Sequence, residues 1–123
     1  MLLDSNIIIY AAQPEYVQLR RFIAERSPAV SAISYVEVLG YHRLSDHDRQ
    51  YFEQFFHVAR VLPISQAVLD QAVTLRQRKK MTLGNALIAG TALVHRLTLV
   101  TRNTDDFRWI QELILLNPFE EKP

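Results

Sequence analysis

The chain has 123 residues, of which 49% are hydrophobic and 22% charged, and its formal net charge is +1. This much apolar material suffices for one core, so we expect residues 1–123 to form a single domain. The small net charge excludes a global basic field, and the absence of cysteine excludes disulfides, thiolate catalysis and Cys-ligated metal sites.

The sequence contains no apolar run near the roughly 20 residues that a membrane-spanning helix requires. The amino terminus reaches an acid, Asp4, after only three residues, which is not typical of a signal peptide. Together with the absence of cysteine, these features predict a cytoplasmic protein without a membrane anchor.

Five short apolar segments are bounded by polar or turn-forming residues and predict strands. In chain order they are Leu2–Leu3, 28–33, 61–64, 98–101 and, at the edge of the sheet, 113–116. The predicted helices begin near Ile7, then span 16–26, Ser34 to about Gly40, 46–58, Ser65 to the basic stretch 76–80, and 81–94. Unbroken apolar strands that alternate with helices are typical of a parallel sheet covered on both faces. The predicted fold is therefore a single α/β domain.

Polar side chains follow the predicted strands at the points where the strands end. Asp4 closes the first strand, Glu37 lies just past the second, and Asn85 opens the helix before the fourth. The segment after the fourth strand adds Asn103, Asp105 and Asp106. Because ligands of open parallel sheets bind beyond the carboxyl ends of the strands, we expect these side chains to meet at one edge.

Each polar residue also has a structural interpretation, as a helix cap or a partner of free N–H groups in a first helical turn. Ser34 and Glu37 match the capping box, in which Glu37 hydrogen-bonds back to the N–H of Ser34. The other structural candidates are Asp4 for the first helix, Thr82 or Gly84 with Asn85 for the helix 81–94, and Asp105 with Asp106 for a helix beginning at Phe107. Four such elements meeting at one edge favour a shared site over four independent caps.

Carboxylates gathered in this way repel one another and raise each other's pKa unless a cation offsets them. Mg²⁺ suits such a site, because it takes one or two carboxylates and keeps several waters. A metal with bound water supplies the nucleophile for phosphodiester hydrolysis and stabilises the developing charge on phosphate. Zinc is disfavoured, because no His or Cys pair has zinc-ligand spacing.

The chain contains, in this order, the segments LLDSNIIIY, SAISYVEVLGY, LGNALIAGTAL and LTLVTRNTDDF. Together these segments resemble the PIN-domain ribonucleases, specifically the VapC-type toxins of toxin–antitoxin pairs, from Leu2 to about Phe119. The resemblance implies a five-stranded parallel sheet with helices on both faces. It also implies Mg²⁺- or Mn²⁺-dependent cleavage of RNA, a VapB-like antitoxin partner and a homodimer.

The resemblance assigns roles to individual residues. Asp4 matches the family's first acid and Glu37 its second, while the fourth polar position maps to Asn103 or the nearby Asp106. The implied catalytic residues are Asp4, Glu37, Asn85 and Asp106, and the implied metal ligands are these four with Asn103. The predicted substrate contacts are Ser5, Asn6, Thr101 and Arg102, with Arg102 preferred over the basic stretch 76–80 for steering the RNA backbone.

Asn85 stands where this family usually has a carboxylate, in a DALIA-like motif. An amide oxygen can accept a hydrogen bond or coordinate weakly, but it brings no negative charge. Either the chain is a natural variant with weakened catalysis or the acid was removed from a toxic protein. The alternative function is therefore a non-cleaving PIN-like domain that binds RNA or an antitoxin. A response-regulator receiver is disfavoured, because Asp4 lacks an acidic neighbour and no lysine follows Thr101.

Overall fold

The structure is a computed structural model and describes residues 1–120, so the last three residues of the predicted domain lie outside it. The strands are β1 (Leu2–Leu3), β2 (Ala29–Ser31), β3 (Arg60–Leu62), β4 (Leu99–Val100) and β5 (Leu115–Leu116). The helices are α1 (Ser5–Ala11), α2 (Val17–Arg26), α3 (Ala32–Leu39), α4 (Asp46–Val58), α5 (Gln66–Arg78) and α6 (Leu83–His95), with a short 3-10 helix at Thr104–Asp106.

The five strands form one parallel sheet in the order β3-β2-β1-β4-β5. Strands β1, β2 and β3 lie side by side in chain order, and β4 then pairs with β1 on its other side. The order therefore reverses between β1 and β4, and such a reversal opens a crevice at the carboxyl ends of the strands. The predicted five-stranded parallel α/β fold is confirmed, with β5 at the edge.

Alternate strand residues point to opposite faces of the sheet, as the two-residue strand period requires. Leu2, Ala29 and Leu99 pack in one cluster with buried residues of α5, α6 and the segment 107–113. Their neighbours Leu3, Val30 and Val100 pack on the other face with residues of α1 to α4. Both faces of the central strands are thus covered, which explains why β1 and β4 are wholly apolar, whereas the edge strand β3 begins with the exposed Arg60.

The second predicted strand ends earlier than expected. It stops at Ser31, whose side chain accepts a hydrogen bond from the N–H of Ile33 at 3.2 Å and so caps α3. The capping-box interpretation of Ser34 and Glu37 is therefore wrong, because Ser34 lies inside the helix rather than before it. The predicted helix end is confirmed at Gly40.

The remaining boundary differences are small. β3 begins at Arg60 and ends before Pro63, which has no N–H to donate to a ladder. β4 and β5 are each two residues long, shorter than the predicted 98–101 and 113–116, and Leu113 packs in the core instead. Among residues 1–120, no helix combines the length and apolar character that crossing a membrane requires.

Gly90 lies where α6 packs tightly against α5. A Cβ at this position would lie 3.1 Å from the carbonyl oxygen of Val68 and 3.4 Å from the backbone nitrogen of Ala72. Gly90→Val should therefore push the two helices apart and lower the free energy of unfolding by about 1–3 kcal/mol, measured by urea denaturation. Ala24→Val, on the exposed side of α2, is the control and should cost only the helix-propensity difference of about 0.5 kcal/mol. Equal losses would show that the α5–α6 contact is not tight.

Candidate functional site

Asp4 lies at the carboxyl end of the central strand and is 5% exposed. Its Oδ1 accepts a hydrogen bond from the backbone N–H of Ser5 at 2.8 Å, and its Oδ2 accepts one from the Thr101 hydroxyl at 2.7 Å. The first bond caps α1 and the second joins the ends of β1 and β4. Asp4 is thus both a helix cap and the residue at the crevice where the strand order reverses.

Glu37, on α3, is connected to Asp4 through Ser5, the residue that directly follows Asp4. The Ser5 hydroxyl donates to Glu37 Oε1 at 2.7 Å, and Ser5 Oγ lies 2.8 Å from the Oγ of the buried Ser34. Gly84, in the first turn of α6, lies directly against the same carboxylate, because a Cβ there would overlap Glu37 Oε2 and lie 3.1 Å from its Cδ. The serine pair and the bare glycine together fix the position of this carboxylate.

The side chain of Asn85 is not used as a helix cap. Thr82 caps α6, and its Oγ1 accepts a hydrogen bond from the backbone N–H of Asn85 at 3.1 Å. Within residues 1–120, the amide of Asn85 makes no hydrogen bond of its own. It lines a surface depression of about 430 Å³ together with Lys80 and Asp106.

The polar residues of the segment after β4 make different contacts. The backbone N–H of Asn103 donates to the Thr101 hydroxyl at 3.0 Å, and Asp105 pairs with Arg108. Asp106 lines the depression that also contains Asn85, and its charge contributes to raising the pKa of Asp4. The prediction of a helix beginning at Phe107 is wrong, because residues 104–106 form a single 3-10 turn that ends before Phe107.

Burial is the main cause that raises the pKa of Asp4, and the charges of Glu37 and Asp106 raise it further. The hydrogen bonds from Thr101 and from the N–H of Ser5 act in the opposite direction but do not cancel the effect. An ionised Asp4 therefore costs folding free energy, which a bound cation would offset.

The donor atoms at this edge suit a hard divalent cation, because all of them are carboxylate, amide or hydroxyl oxygens. Over the part of the chain that the structure describes, no three His, Cys, Asp or Glu side chains are arranged to hold one metal ion. Mg²⁺ does not need three, since it binds through one or two carboxylates and retains several waters. The Oδ1 of Asn6 is buried in the first turn of α1 and has no hydrogen-bond partner within residues 1–120, so it is a further oxygen near this edge.

Arg102 packs against aromatic rings. Its guanidinium carbon lies 4.2 Å from the ring centre of Phe119 and 5.0 Å from that of Tyr10, and these rings contact Tyr16 edge to face. Cation–π contacts of this kind hold a guanidinium in one place. Arg102 is thus directed toward an aromatic cluster formed by Tyr10 of α1, Tyr16 before α2 and Phe119.

The profile of the PIN domain family matches residues 1–113. A toxin–antitoxin complex from Klebsiella pneumoniae contains a chain 32% identical to this one, with 98% of each chain covered and a TM-score of 0.76. VapBC2 from Rickettsia felis, solved with a promoter DNA fragment, is 22% identical over 94% of this chain and 96% of its own, with a TM-score of 0.83. FitAcB from Neisseria gonorrhoeae is 22% identical over 98% and 99% of the two chains, with a TM-score of 0.77. No curated protein gives a significant match.

A nearly complete family match and a relative more than 30% identical over the whole chain define the class. The chain belongs to the PIN domain family. The similarity to the VapC-type members that the four sequence segments indicate is confirmed.

The structure links Asp4, Ser5, Glu37 and Thr101 by direct hydrogen bonds, and it brings Asn85 and Asp106 into one depression. It does not bring Arg102 into contact with them. The sequence predicts two neighbours of these residues, Ser34 and Gly84, only as possible helix caps and not as residues of the site. Gly84 directly precedes Asn85 and Ser34 lies one helical turn before Glu37, so position along the helix was the only available signal for either.

Asn replaces Asp4 conservatively, because it caps helices as well as Asp but carries no charge. Since the pKa of Asp4 is raised above its ordinary value, the folded state binds more protons than the unfolded state between the two pKa values, and stability falls as pH rises through that window. Asp4→Asn should therefore raise the melting temperature at pH 7 and have much less effect near pH 3. Calorimetry across this pH range measures the difference.

The control for this prediction is Asp46→Asn, an exposed acid in the first turn of α4. It should lower stability slightly at pH 7, because an acid favours a helix amino terminus. A destabilised Asp4→Asn at pH 7 would contradict the argument from burial.

Gly84→Ala should displace the carboxylate of Glu37 without unfolding the protein. The added methyl meets the far end of a flexible side chain, so the side chain moves and its hydrogen bond to Ser5 is lost. A crystal structure of the variant measures the distance from Glu37 Oε1 to Ser5 Oγ, and thermal unfolding measures the stability. Leu83→Ala, one residue earlier on an exposed position, is the control. An unmoved Glu37 would show that Gly84 does not set its position.

Proposed function

We propose that this protein is a Mg²⁺-dependent endoribonuclease, with Mn²⁺ as a possible substitute, and the toxin of a type II toxin–antitoxin pair. One observation carries the proposal: at the reversal point of the sheet, the buried Asp4 is joined through Ser5 to Glu37, and the nearby charge of Asp106 contributes to raising the pKa of Asp4. Membership of the PIN domain family, whose members are generally nucleases, supports the same conclusion.

The residues proposed to hold the metal are Asp4 and Glu37, with Asp106 and the amide oxygen of Asn85 nearby. Asp106 is preferred over Asn103, because its charge is coupled to Asp4 and it shares the depression with Asn85. When bound, the metal supplies an activated water and stabilises charge on the phosphate. Thr101 and the N–H of Ser5 orient the carboxylate of Asp4, and Ser5 orients that of Glu37. Ser5 and Thr101 therefore act through the acids, whereas the Oδ1 of Asn6 accepts no hydrogen bond from any group within residues 1–120.

The proposed partner is a VapB-like antitoxin, as in the toxin–antitoxin complexes that this chain resembles. An apolar groove of about 510 Å³ runs between α1 and the α3–α4 connection, lined by Ile9, Val38, Tyr41, Leu44 and Phe52 among others. Ile9 and Tyr41 are about half exposed, so an amphipathic helix laid in the groove would bury apolar surface. Of the aromatic residues of α4, Phe52 and Phe56 are buried, whereas Tyr51 and Phe55 are partly exposed. A homodimer and a cytoplasmic location are further parts of this proposal, and light scattering of the purified chain tests the first.

The second candidate function is a PIN domain that binds RNA or antitoxin without cutting. Asn85 favours it, because an uncharged side chain occupies the depression where the family usually has an acid. Incubating the purified chain with labelled RNA in Mg²⁺, in Mn²⁺ and in EDTA separates the two functions. Metal-dependent products that disappear in Asp4→Asn support the nuclease, and intact RNA in both metals supports the binding domain.

Asn85→Asp should increase Mg²⁺ affinity and RNA cleavage, and it should make the protein toxic without its antitoxin. Two unit charges 4 Å apart interact by roughly 4 kcal/mol at an effective dielectric near 20, before desolvation is subtracted. Each 1.4 kcal/mol that remains tightens binding about tenfold. Isothermal titration with Mg²⁺ and cleavage rates across a Mg²⁺ series measure the effect.

Asn103→Asp is the matched control, because it adds the same charge on an exposed residue of the next loop. It should change metal affinity much less than Asn85→Asp. Equal effects of the two substitutions would move the fourth ligand to residue 103, and no effect of either would remove Asn85 from the site.

A further inference from the structure

The last turn of α5 and the two residues after it carry four cations in five residues, Arg76, Arg78, Lys79 and Lys80, all of them exposed. They line a surface depression of about 520 Å³ that lies next to the proposed site. The depression at the site itself, which contains Asn85 and Asp106, is also lined by Lys80 and Met81. The two depressions therefore share residues and form one continuous surface, which we name the basic ridge.

Three of the four cations are held in place by neighbours. Arg76 donates from Nε to the carbonyl oxygen of Met81 at 3.3 Å. Arg78 and Lys79 each lie 5.6 Å from the centre of the Trp109 ring, and Arg78 also pairs with Glu112 at 3.6 Å. These contacts keep the ridge ordered while its charges stay exposed to solvent.

Lys80 differs from the other three. Within residues 1–120 it makes no hydrogen bond, ion pair or ring contact, and it lines both depressions. Cations in the last turn of a helix are ordinarily explained by the helix dipole. That explanation suits Arg76 and Arg78, but α5 ends at Arg78, so Lys80 lies beyond the last turn. A free ammonium group at the mouth of an acidic site lies where an incoming phosphate needs a counter-charge.

Trp109 connects the ridge to the site through a second contact. Its indole N–H donates to the carbonyl oxygen of Asp106 at 3.1 Å, while Arg78 and Lys79 contact its ring. The loop that carries Asp106 and the end of α5 are thus attached to the same side chain. A polyanion bound on the basic ridge would therefore lie directly beside the residues of the site.

We propose that the phosphate backbone of single-stranded RNA crosses the basic ridge and enters the site past Lys80. The inference rests on the proposed function for the identity of the polyanion as RNA. Because cations contact phosphate and carry no sequence information, the ridge sets the path of the strand and not the sequence that is cut. With this proposal, the predicted RNA path moves from Arg102, which packs on aromatic rings, to the basic ridge at the end of α5.

RNA binding measured in EDTA, where cleavage is excluded, tests the path. Lys80→Gln should weaken binding of a single-stranded RNA and reduce the slope of log affinity against log salt by about 0.7, and Lys79→Gln/Lys80→Gln by about 1.4. Arg60→Gln is the matched control, because Arg60 is an exposed cation at the amino end of β3, on the opposite edge of the sheet. Its slope should equal that of the unaltered chain.

Trp109 provides an independent measurement, since it is the only tryptophan. RNA on the ridge should change its fluorescence in the unaltered chain and in Arg60→Gln. Equal salt slopes for Lys80→Gln and Arg60→Gln, or no RNA binding at all, would overturn the proposal. Displacement of RNA by polyglutamate of equal charge would overturn it in favour of an acidic protein partner.

RNA binding is measured in EDTA, where no cleavage occurs, so the RNA path and the nuclease activity are tested separately. A chain that binds RNA through Lys80 but does not cut it in Mg²⁺ or Mn²⁺ supports the ridge and contradicts the nuclease. A chain that cuts RNA while Lys80→Gln keeps an unchanged slope supports the nuclease and contradicts the ridge.

Discussion

The hydrogen bond between the Thr101 hydroxyl and Asp4 Oδ2 is the contact on which the site depends. It joins β1 to β4 at the point where the strand order reverses, and it holds a carboxylate in a place that burial makes unfavourable for its charge. The same carboxylate caps α1 through the N–H of Ser5, so strand, helix and acid are positioned together. Ser5 then extends this arrangement to Glu37, which comes from a different strand–helix unit. A fold that stores an unfavourable charge at its centre gains from any cation that binds there.

The overall fold was predictable because it follows from patterns that the sequence displays locally. Unbroken apolar strands alternating with helices imply a parallel sheet, and a parallel sheet implies an edge where Asp4 and Glu37 lie close together. The boundaries were less predictable where two signals competed. Both Ser31 and Ser34 are good caps, and the capping-box pattern favoured Ser34, whereas the packed helix begins after Ser31. Ser34 is instead buried beside Ser5, a contact across 29 residues that no local pattern contains.

The site was only partly predictable for the same reason. Residue type identified the acids, but it could not indicate that Gly84 lies against Glu37 or that Arg102 packs on Phe119. These facts depend on how separate elements pack, and a glycine or an arginine has many possible roles. The preference for Asp106 over Asn103 that we propose likewise rests on the position of the 3-10 turn, where Asp106 and Asn85 line the same depression and Asp105 pairs with Arg108.

Asn85 and the basic ridge act on the electrostatics of the site in the same direction. An acid at residue 85 would strengthen the attraction for a divalent cation and weaken that for an incoming phosphate. With an amide there, Asp4, Glu37 and Asp106 remain as the acids, and the exposed ammonium of Lys80 faces fewer negative charges. We therefore expect the amide at residue 85 to weaken binding of a divalent cation and to favour binding of a polyanion, because both effects follow from the missing charge. A carboxylate at residue 85 should shift the two affinities in opposite directions.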